Sequence, residues 1–199
     1  MSFFHTVYAA LTRVTGVTHL HLSFSSETPP SYLTGLGRCA FPHLRQLGLE
    51  VELTDSVLNF MRRNSQHIRE LIINPHGSIG RMAPICTFPN LICYRGNSRM
   101  IPPLLRGSPV QIIFTSFFET EDEDEDTEDD MEFALRVLHK TNAPVSLIYI
   151  MTNHWSLFFF ECLSQYANKV TEIEYSNIDE DGEDEEELTE IISVRQTHV

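Results

Sequence analysis

The sequence predicts an α/β fold in which about seven strand–helix units stack into a leucine-rich-repeat-like solenoid, with a parallel sheet on its concave face. Apolar residues recur with the spacing L-x-x-L-x-L, as in "LRQLGL" at residues 44–49. Copies of this pattern start 27, 24, 23, 19, 35 and 25 residues apart, and segments with helical spacing lie between them. A strand and a helix every ~25 residues is typical of leucine-rich repeats.

Seven segments are predicted as strands. They are "VTHLHL" (17–22), "HLRQLGL" (43–49), "IRELII" (68–73), "LICYRG" (91–96), "VQIIF" (110–114), "VSLIYI" (145–150) and "VTEIEY" (170–175). Successive side chains of a strand point to opposite faces. The two apolar residues of L-x-L are therefore expected in the core, and the residue between them is expected to face outward.

Helices are predicted between these strands. They comprise the N-terminal stretch, "DSVLNFMRRNS" (55–65) with Thr54 as N-cap, the short "SRMIPPLL" (98–105), "MEFALRVLHK" (131–140) and "WSLFFFECLSQYANK" (155–169). Apolar residues at helical spacing place one face of each against the sheet. A Rossmann-like domain also alternates strands and helices, but "HLSFSSETPP" after the first strand offers no glycine-rich phosphate loop.

The acidic residues are concentrated in two tracts. Residues 119–130 and 179–187 hold 18 of the 28 Asp and Glu, which leaves 10 acids against 14 Lys and Arg elsewhere. We expect one repeat domain over residues 1–178, with 119–130 as a disordered insertion, and an acidic C-terminal segment, 179–199, that starts a truncated repeat. The tracts would alternatively attract basic proteins, or respond to phosphorylation at Thr120 and Thr127.

Two paired motifs carry a resemblance to a known family. "FPHLRQL" (41–47) and "FPNLICYRG" (88–96), the latter followed by "SRMIPPLL" and "SPVQIIF", resemble repeats of fungal F-box-like leucine-rich-repeat proteins. The resemblance covers most of residues 15–178. It implies repeats that select a protein substrate and an N-terminal F-box that recruits a ubiquitin ligase. This chain shows no F-box-like "LP-x-E" stretch at its N-terminus.

The sequence contains no motif that predicts an enzyme. The P-loop, the G-x-S-x-G elbow and the H-E-x-x-H helix do not occur, and the four cysteines form no C-x-x-C pair. "NIDEDGEDEEEL" (177–188) resembles an EF-hand loop but has Leu188 where calcium needs a bidentate Glu. We therefore expect no catalytic residues, no metal and no cofactor.

The predicted function is a non-enzymatic scaffold for protein–protein interaction, related to the substrate-recognition modules of F-box adaptors. Its partner is expected to contact outward-facing strand residues, namely His19, His21, Gln46, Gly48, Glu50, Glu70 and Ile72. Ile112, Phe114, Leu147 and Tyr149 make the same face apolar further along.

An alternative function is a binder or chaperone of basic proteins such as histones, since the chain is also similar to acidic leucine-rich nuclear phosphoproteins. In either case we expect an intracellular protein, cytoplasmic or nuclear. Nucleic acid is disfavoured as a partner because the acidic tracts repel phosphates. No apolar run approaches the ~18 residues needed to cross a bilayer.

Overall fold

The computed structural model describes residues 3–11, 13–14, 16–76, 84–117, 126–141, 145–152, 157–166, 170–177 and 191–195. Within them the chain forms one eight-stranded sheet whose strands follow each other in chain order. The strands are β1 (His19–Ser23), β2 (Gln46–Glu50), β3 (Glu70–Ile73), β4 (Cys93–Asn97), β5 (Ile112–Phe117), β6 (Leu147–Thr152), β7 (Glu172–Asn177) and β8 (Ile191–Arg195). The first seven are parallel, so the α/β class and the parallel sheet are confirmed.

The described helices largely follow the prediction. They are α1 (Phe3–Leu11), α2 (Asp55–Asn64), α3 (Ile101–Leu105), α4 (Asp126–His139) and α5 (Leu157–Tyr166). The Thr54 hydroxyl accepts a hydrogen bond from the Val57 N–H, as expected of an N-cap. Two 3₁₀ helices, Pro30–Leu33 and Leu36–Arg38, connect β1 to β2 instead of an α-helix. The prolines before Ser31 and the glycines at 35 and 37 disfavour a longer helix there.

Two features of the acidic segments differ from the expectation. Residues 126–130, expected in a disordered insertion, form the first turns of α4. Acidic residues are favoured in general at the start of a helix, so an acidic run is compatible with one. Residues 119–125 lie outside the described residues. In the C-terminal segment, β8 pairs antiparallel with β7, whereas a further repeat would add a parallel strand. The remainder of that segment, 179–190 and 196–199, lies outside the described residues.

The strands are held in one register by a repeated backbone arrangement. Just before a strand begins, one carbonyl accepts two N–H groups from the next unit. The Arg45 carbonyl, for example, accepts from Arg69 (2.7 Å) and Glu70 (3.0 Å), and the Arg69 carbonyl accepts from Ile92 (2.8 Å) and Cys93 (3.0 Å). The carbonyls of Thr18, Ile92, Gln111 and Ser146 do the same. This arrangement recurs from β1 to β7.

The core lies on the side of the sheet that the L-x-L residues face. Leu47, Leu49, Leu71 and Ile73 are fully buried, as predicted. In β4 the positions that pair with Leu71 and Ile73 are Tyr94 and Gly96. The Tyr94 hydroxyl donates to the Asn97 carbonyl (2.7 Å), which satisfies its polar end inside the core.

Each of the two F-P-x-L motifs makes an equivalent hydrogen bond, which connects the loop before a strand to the helix region that follows the same strand. Phe41 and Phe88 are buried at the first position of the motif. The Phe41 N–H donates to the side chain of Asn64 at the end of α2 (2.7 Å). The Phe88 N–H donates to the hydroxyl of Ser108, after α3 (3.3 Å). Each motif therefore marks a point where the next helix is attached to the sheet.

Candidate interaction surface on the outward face of the sheet

The outward face consists of the strand side chains that alternate with the core residues. Strand register aligns them in two rows, one residue from each parallel strand. The first row is His19, Gln46, Glu70, Cys93, Ile112, Leu147 and Glu172. The second row is His21, Gly48, Ile72, Arg95, Phe114, Tyr149 and Glu174. The face is polar at β1 and β2, carries apolar and aromatic side chains at β5 and β6, and is acidic at β7.

The seven residues predicted to bind a partner all lie on β1, β2 and β3. His19 and His21 are exposed, and Gln46, Glu50, Glu70 and Ile72 are half-buried. Gly48 is buried, so it offers a partner little surface of its own. A Cβ atom at this position would lie 3.0 Å from Nδ1 of His21. The missing side chain of Gly48 therefore provides room for the His21 ring.

Polar contacts order the β1–β2 end of this face. His21 Nε2 lies 3.5 Å from Oε1 of Glu50, and the two side chains are 55% and 36% exposed. His19 Nδ1 lies 2.9 Å from the Thr18 hydroxyl. Exposed pairs of this kind contribute little to stability, on the order of 0–1 kcal/mol. Within the described part of the chain, no group of three or more His, Cys, Asp or Glu is placed to hold a metal ion.

Side-chain contacts on the face form a ladder across four consecutive strands, from Glu70 through Arg95 and Phe114 to Tyr149. Arg95 Nε donates to Oε1 of Glu70 (3.2 Å). The guanidinium carbon lies 4.1 Å from the centroid of the Phe114 ring. The Phe114 and Tyr149 rings are 5.7 Å apart, with an angle of 43° between their planes. We call these four residues the cross-strand ladder.

The cross-strand ladder presents one cation and two aromatic rings on the outward face. Arg95 is 47% exposed although it is anchored on both sides, by a carboxylate and by a ring. Neighbouring strands of a sheet are about 4.8 Å apart, so side chains on the same face of adjacent strands can contact each other. Arginine and aromatic residues are enriched at the energetic centres of protein interfaces. A surface already ordered in this way loses little side-chain entropy on binding.

The cysteine beside the ladder is not activated as a nucleophile. Burial raises the pKa of Cys93; Arg95 acts in the opposite direction, and Glu70 adds a smaller increase. Burial also raises the pKa of Cys39, and it raises the pKa of Cys86 to about 11 despite nearby Arg62. Reactive cysteines instead require a lowered pKa. These three thiols therefore remain protonated near neutral pH.

Sequence reasoning did not single out Arg95 or Cys93. A signal was nevertheless available in "LICYRG", because Arg95 stands between the core residue Tyr94 and Gly96, as Gly48 stands between two leucines. The degenerate leucine pattern of this unit obscured the position. The aromatic residues Phe114 and Tyr149 were expected to make the face apolar, and they are half-buried there.

No protein-family model matches the chain, and a comparison with curated proteins finds no match either. Among the described helices, none combines the length and apolar character that crossing a bilayer requires.

Proposed function

We propose that the chain is a non-enzymatic protein-interaction scaffold built as a leucine-rich-repeat-like solenoid, with the outward face as its concave side. The observation that carries the proposal is the cross-strand ladder, Glu70–Arg95–Phe114–Tyr149. Its partner is a protein that places an acidic or carbonyl group against Arg95 and an apolar side chain against Phe114 and Tyr149. By its resemblance to F-box-like repeats, the scaffold would select substrates for a ubiquitin-ligase adaptor.

The strand order supports a solenoid. Doubly wound sheets reverse their strand order at a switch point, where they bind ligands. Here β1 to β7 follow chain order without reversal. The doubly accepting carbonyls recur between successive units, as expected when each unit contacts mainly its neighbours.

The experiment compares partners captured by the wild-type chain with those captured by an Arg95→Ala/Phe114→Ala variant. The matched control is Arg106→Ala/Phe133→Ala, which removes an exposed arginine and an exposed phenylalanine elsewhere. Partners lost by the first variant and kept by the control are then purified. We expect each ladder substitution to weaken their binding about 10-fold or more, as for residues at an interface centre.

One outcome would reject the proposal. In that outcome, the ladder variant retains the wild-type melting temperature and nevertheless captures every specific partner at wild-type affinity. Charge reversal at Glu50 and Glu70 tests the polar end of the same face. A partner that binds both the ladder variant and the charge-reversal variant like wild type contacts the chain elsewhere.

A second candidate function is the binding of basic proteins, favoured by the acidic end of the outward face. Glu172 and Glu174 lie there in both rows on β7, and the strand precedes the acidic residues 179–187. The test replaces Asp and Glu in 119–125 and 179–187 with Asn and Gln, because deleting 126–130 would truncate α4. Unchanged affinity for histones would reject this function.

A further inference from the structure

A different surface lies at the amino-terminal edge of the sheet, where the chain enters β2, β3 and β4. A cleft of about 230 Å³ opens there between three successive units. His43 and Arg45 come from the first unit, His67 and Arg69 from the second, and Asn90 from the third. All five residues are exposed, and none of them belongs to the outward face.

The cleft follows from the repeat itself. His43 and His67 are 24 residues apart, as are Arg45 and Arg69, so the same two side-chain types occupy equivalent places in adjacent units. The Arg69 N–H donates to the Arg45 carbonyl (2.7 Å), which holds the backbones of the two arginines next to each other. Their backbones are therefore about one strand spacing apart, about 4.8 Å. Asn90 Nδ2 donates to the Gln66 carbonyl (2.7 Å), which connects the third unit to the second at the cleft.

The charges in the cleft are all of one sign. Two arginines are always cationic, and no lining residue is acidic. Among the described residues, neither Arg45 nor Arg69 forms an ion pair. Two guanidinium groups that line one cleft repel each other, and an anion bound between them relieves the repulsion. The arrangement thus favours an anionic ligand.

We propose that this cleft binds a phosphate group, held by the guanidinium groups of Arg45 and Arg69. The planar fork of arginine matches the oxygens of phosphate, and a phosphate has enough oxygens for both arginines. A carboxylate offers two oxygens to the same donors and carries less charge than a phosphate. A nucleic acid would need a longer cationic surface and would be repelled by the 18 acids of the two tracts. The site goes beyond the proposed scaffold function and does not depend on it.

The test is a calorimetric and NMR titration at low ionic strength with two probes, inorganic phosphate and phenyl phosphate. We expect saturable binding at one site, with backbone amide shifts concentrated at residues 43–45, 67–69 and 90. Arg45→Gln and Arg69→Gln should each weaken binding about 10-fold, as for lost charge-assisted hydrogen bonds. Arg106→Gln, an exposed arginine outside the cleft, is the control and should leave the affinity within about twofold.

The source of the phosphate is read from a third titration, with a short phosphoserine peptide. Tighter binding of the peptide and of phenyl phosphate than of inorganic phosphate supports a phosphorylated macromolecule as ligand; equal affinities support a free small phosphate. The proposal is overturned if neither phosphate probe saturates, or if Arg45→Gln/Arg69→Gln binds like wild type. Binding of single-stranded RNA without binding of either phosphate probe would also overturn it. Circular dichroism spectra and melting curves verify that the exposed substitutions leave the fold intact.

Discussion

Replacement of Asn64 by alanine should destabilise the fold strongly for so small a change. The side chain is 1% exposed and satisfies two backbone groups of the loop before β2. Its Oδ1 accepts from the Phe41 N–H (2.7 Å), and its Nδ2 donates to the Cys39 carbonyl (3.3 Å). Nδ2 also donates to the Phe60 carbonyl (2.8 Å) within α2.

The magnitude follows from the groups left behind. Alanine leaves the Phe41 N–H and the Cys39 carbonyl without partners, and each buried unsatisfied group costs about 1–3 kcal/mol. We therefore expect the free energy of unfolding to fall by about 2–6 kcal/mol. That is a large part of the roughly 5–15 kcal/mol by which domains are stable. Ser108→Ala removes the acceptor of the Phe88 N–H (3.3 Å) and a donor to the Leu104 carbonyl (3.3 Å). It should cost less, because both bonds are longer than the 2.7 Å bond between the Phe41 N–H and Asn64.

The assay is urea unfolding followed by far-ultraviolet circular dichroism, with linear extrapolation to water. Asn59→Ala is the control, since Asn59 lies on the same helix but is exposed, and its side-chain oxygen accepts a hydrogen bond from exposed Arg62 (2.9 Å). Its effect should stay within about 0.5 kcal/mol. If Asn64→Ala were no more destabilising than Asn59→Ala, the link between the F-P-x-L motif and the following helix would not stabilise the fold.

Three further predictions concern the N-cap of α2, a glycine in β4 and the buried thiol of Cys86. Thr54→Ala removes the N-cap of α2 and should lower the free energy of unfolding by about 1 kcal/mol in the same urea assay; no change would contradict the role of the cap. Gly96→Ala should cost at least about 2 kcal/mol, because φ is +151° and the new Cβ would overlap the Ile73 carbonyl oxygen. Gly16→Ala, whose Cβ would meet nothing within 4 Å, should change stability little, and equal effects of the two would refute the steric argument. Because burial raises the pKa of Cys86 from 9.0 to about 11, iodoacetamide should alkylate it at pH 8 about 100-fold more slowly in the folded than in the urea-unfolded chain. The folded chain keeps a proton that the unfolded chain loses between pH 9 and pH 11, so stability should also fall as pH rises through that window. Equal alkylation rates would show that the thiol is not shielded.

The regular part of the fold could be predicted from the sequence because it depends on local patterns. Alternation of buried and outward residues located the first seven strands, and a polar residue before an apolar period located the N-cap of α2. The antiparallel strand β8 was not predicted, since "IISVR" is one short apolar run without a partner pattern. The start of α4 was placed five residues late because a run of acids was interpreted as disorder.

The candidate sites depend on contacts between residues far apart in the chain, which periodicity does not reveal. Glu70 and Arg95 are 25 residues apart, and Arg95 meets Phe114 only because β4 and β5 pair in register. Likewise, nothing local indicates that the His21 ring covers Gly48. The basic cleft could have been found by aligning the "H-L-R" and "H-I-R" segments of adjacent units, 24 residues apart. That comparison uses the polar positions of the repeat as well as its leucines.

The pairing of β5 with β6 has a practical consequence for labelling the protein. The two strands pair in register over six residues, from Ile112 with Leu147 to Phe117 with Thr152. Their starting positions are nevertheless separated by 35 residues, against 19–27 elsewhere in the series. Sheet geometry thus accommodates extra length in the chain between β5 and β6. We expect an epitope tag or a small fluorescent reporter placed between β5 and α4 to leave the strand register unchanged, and with it both candidate binding surfaces.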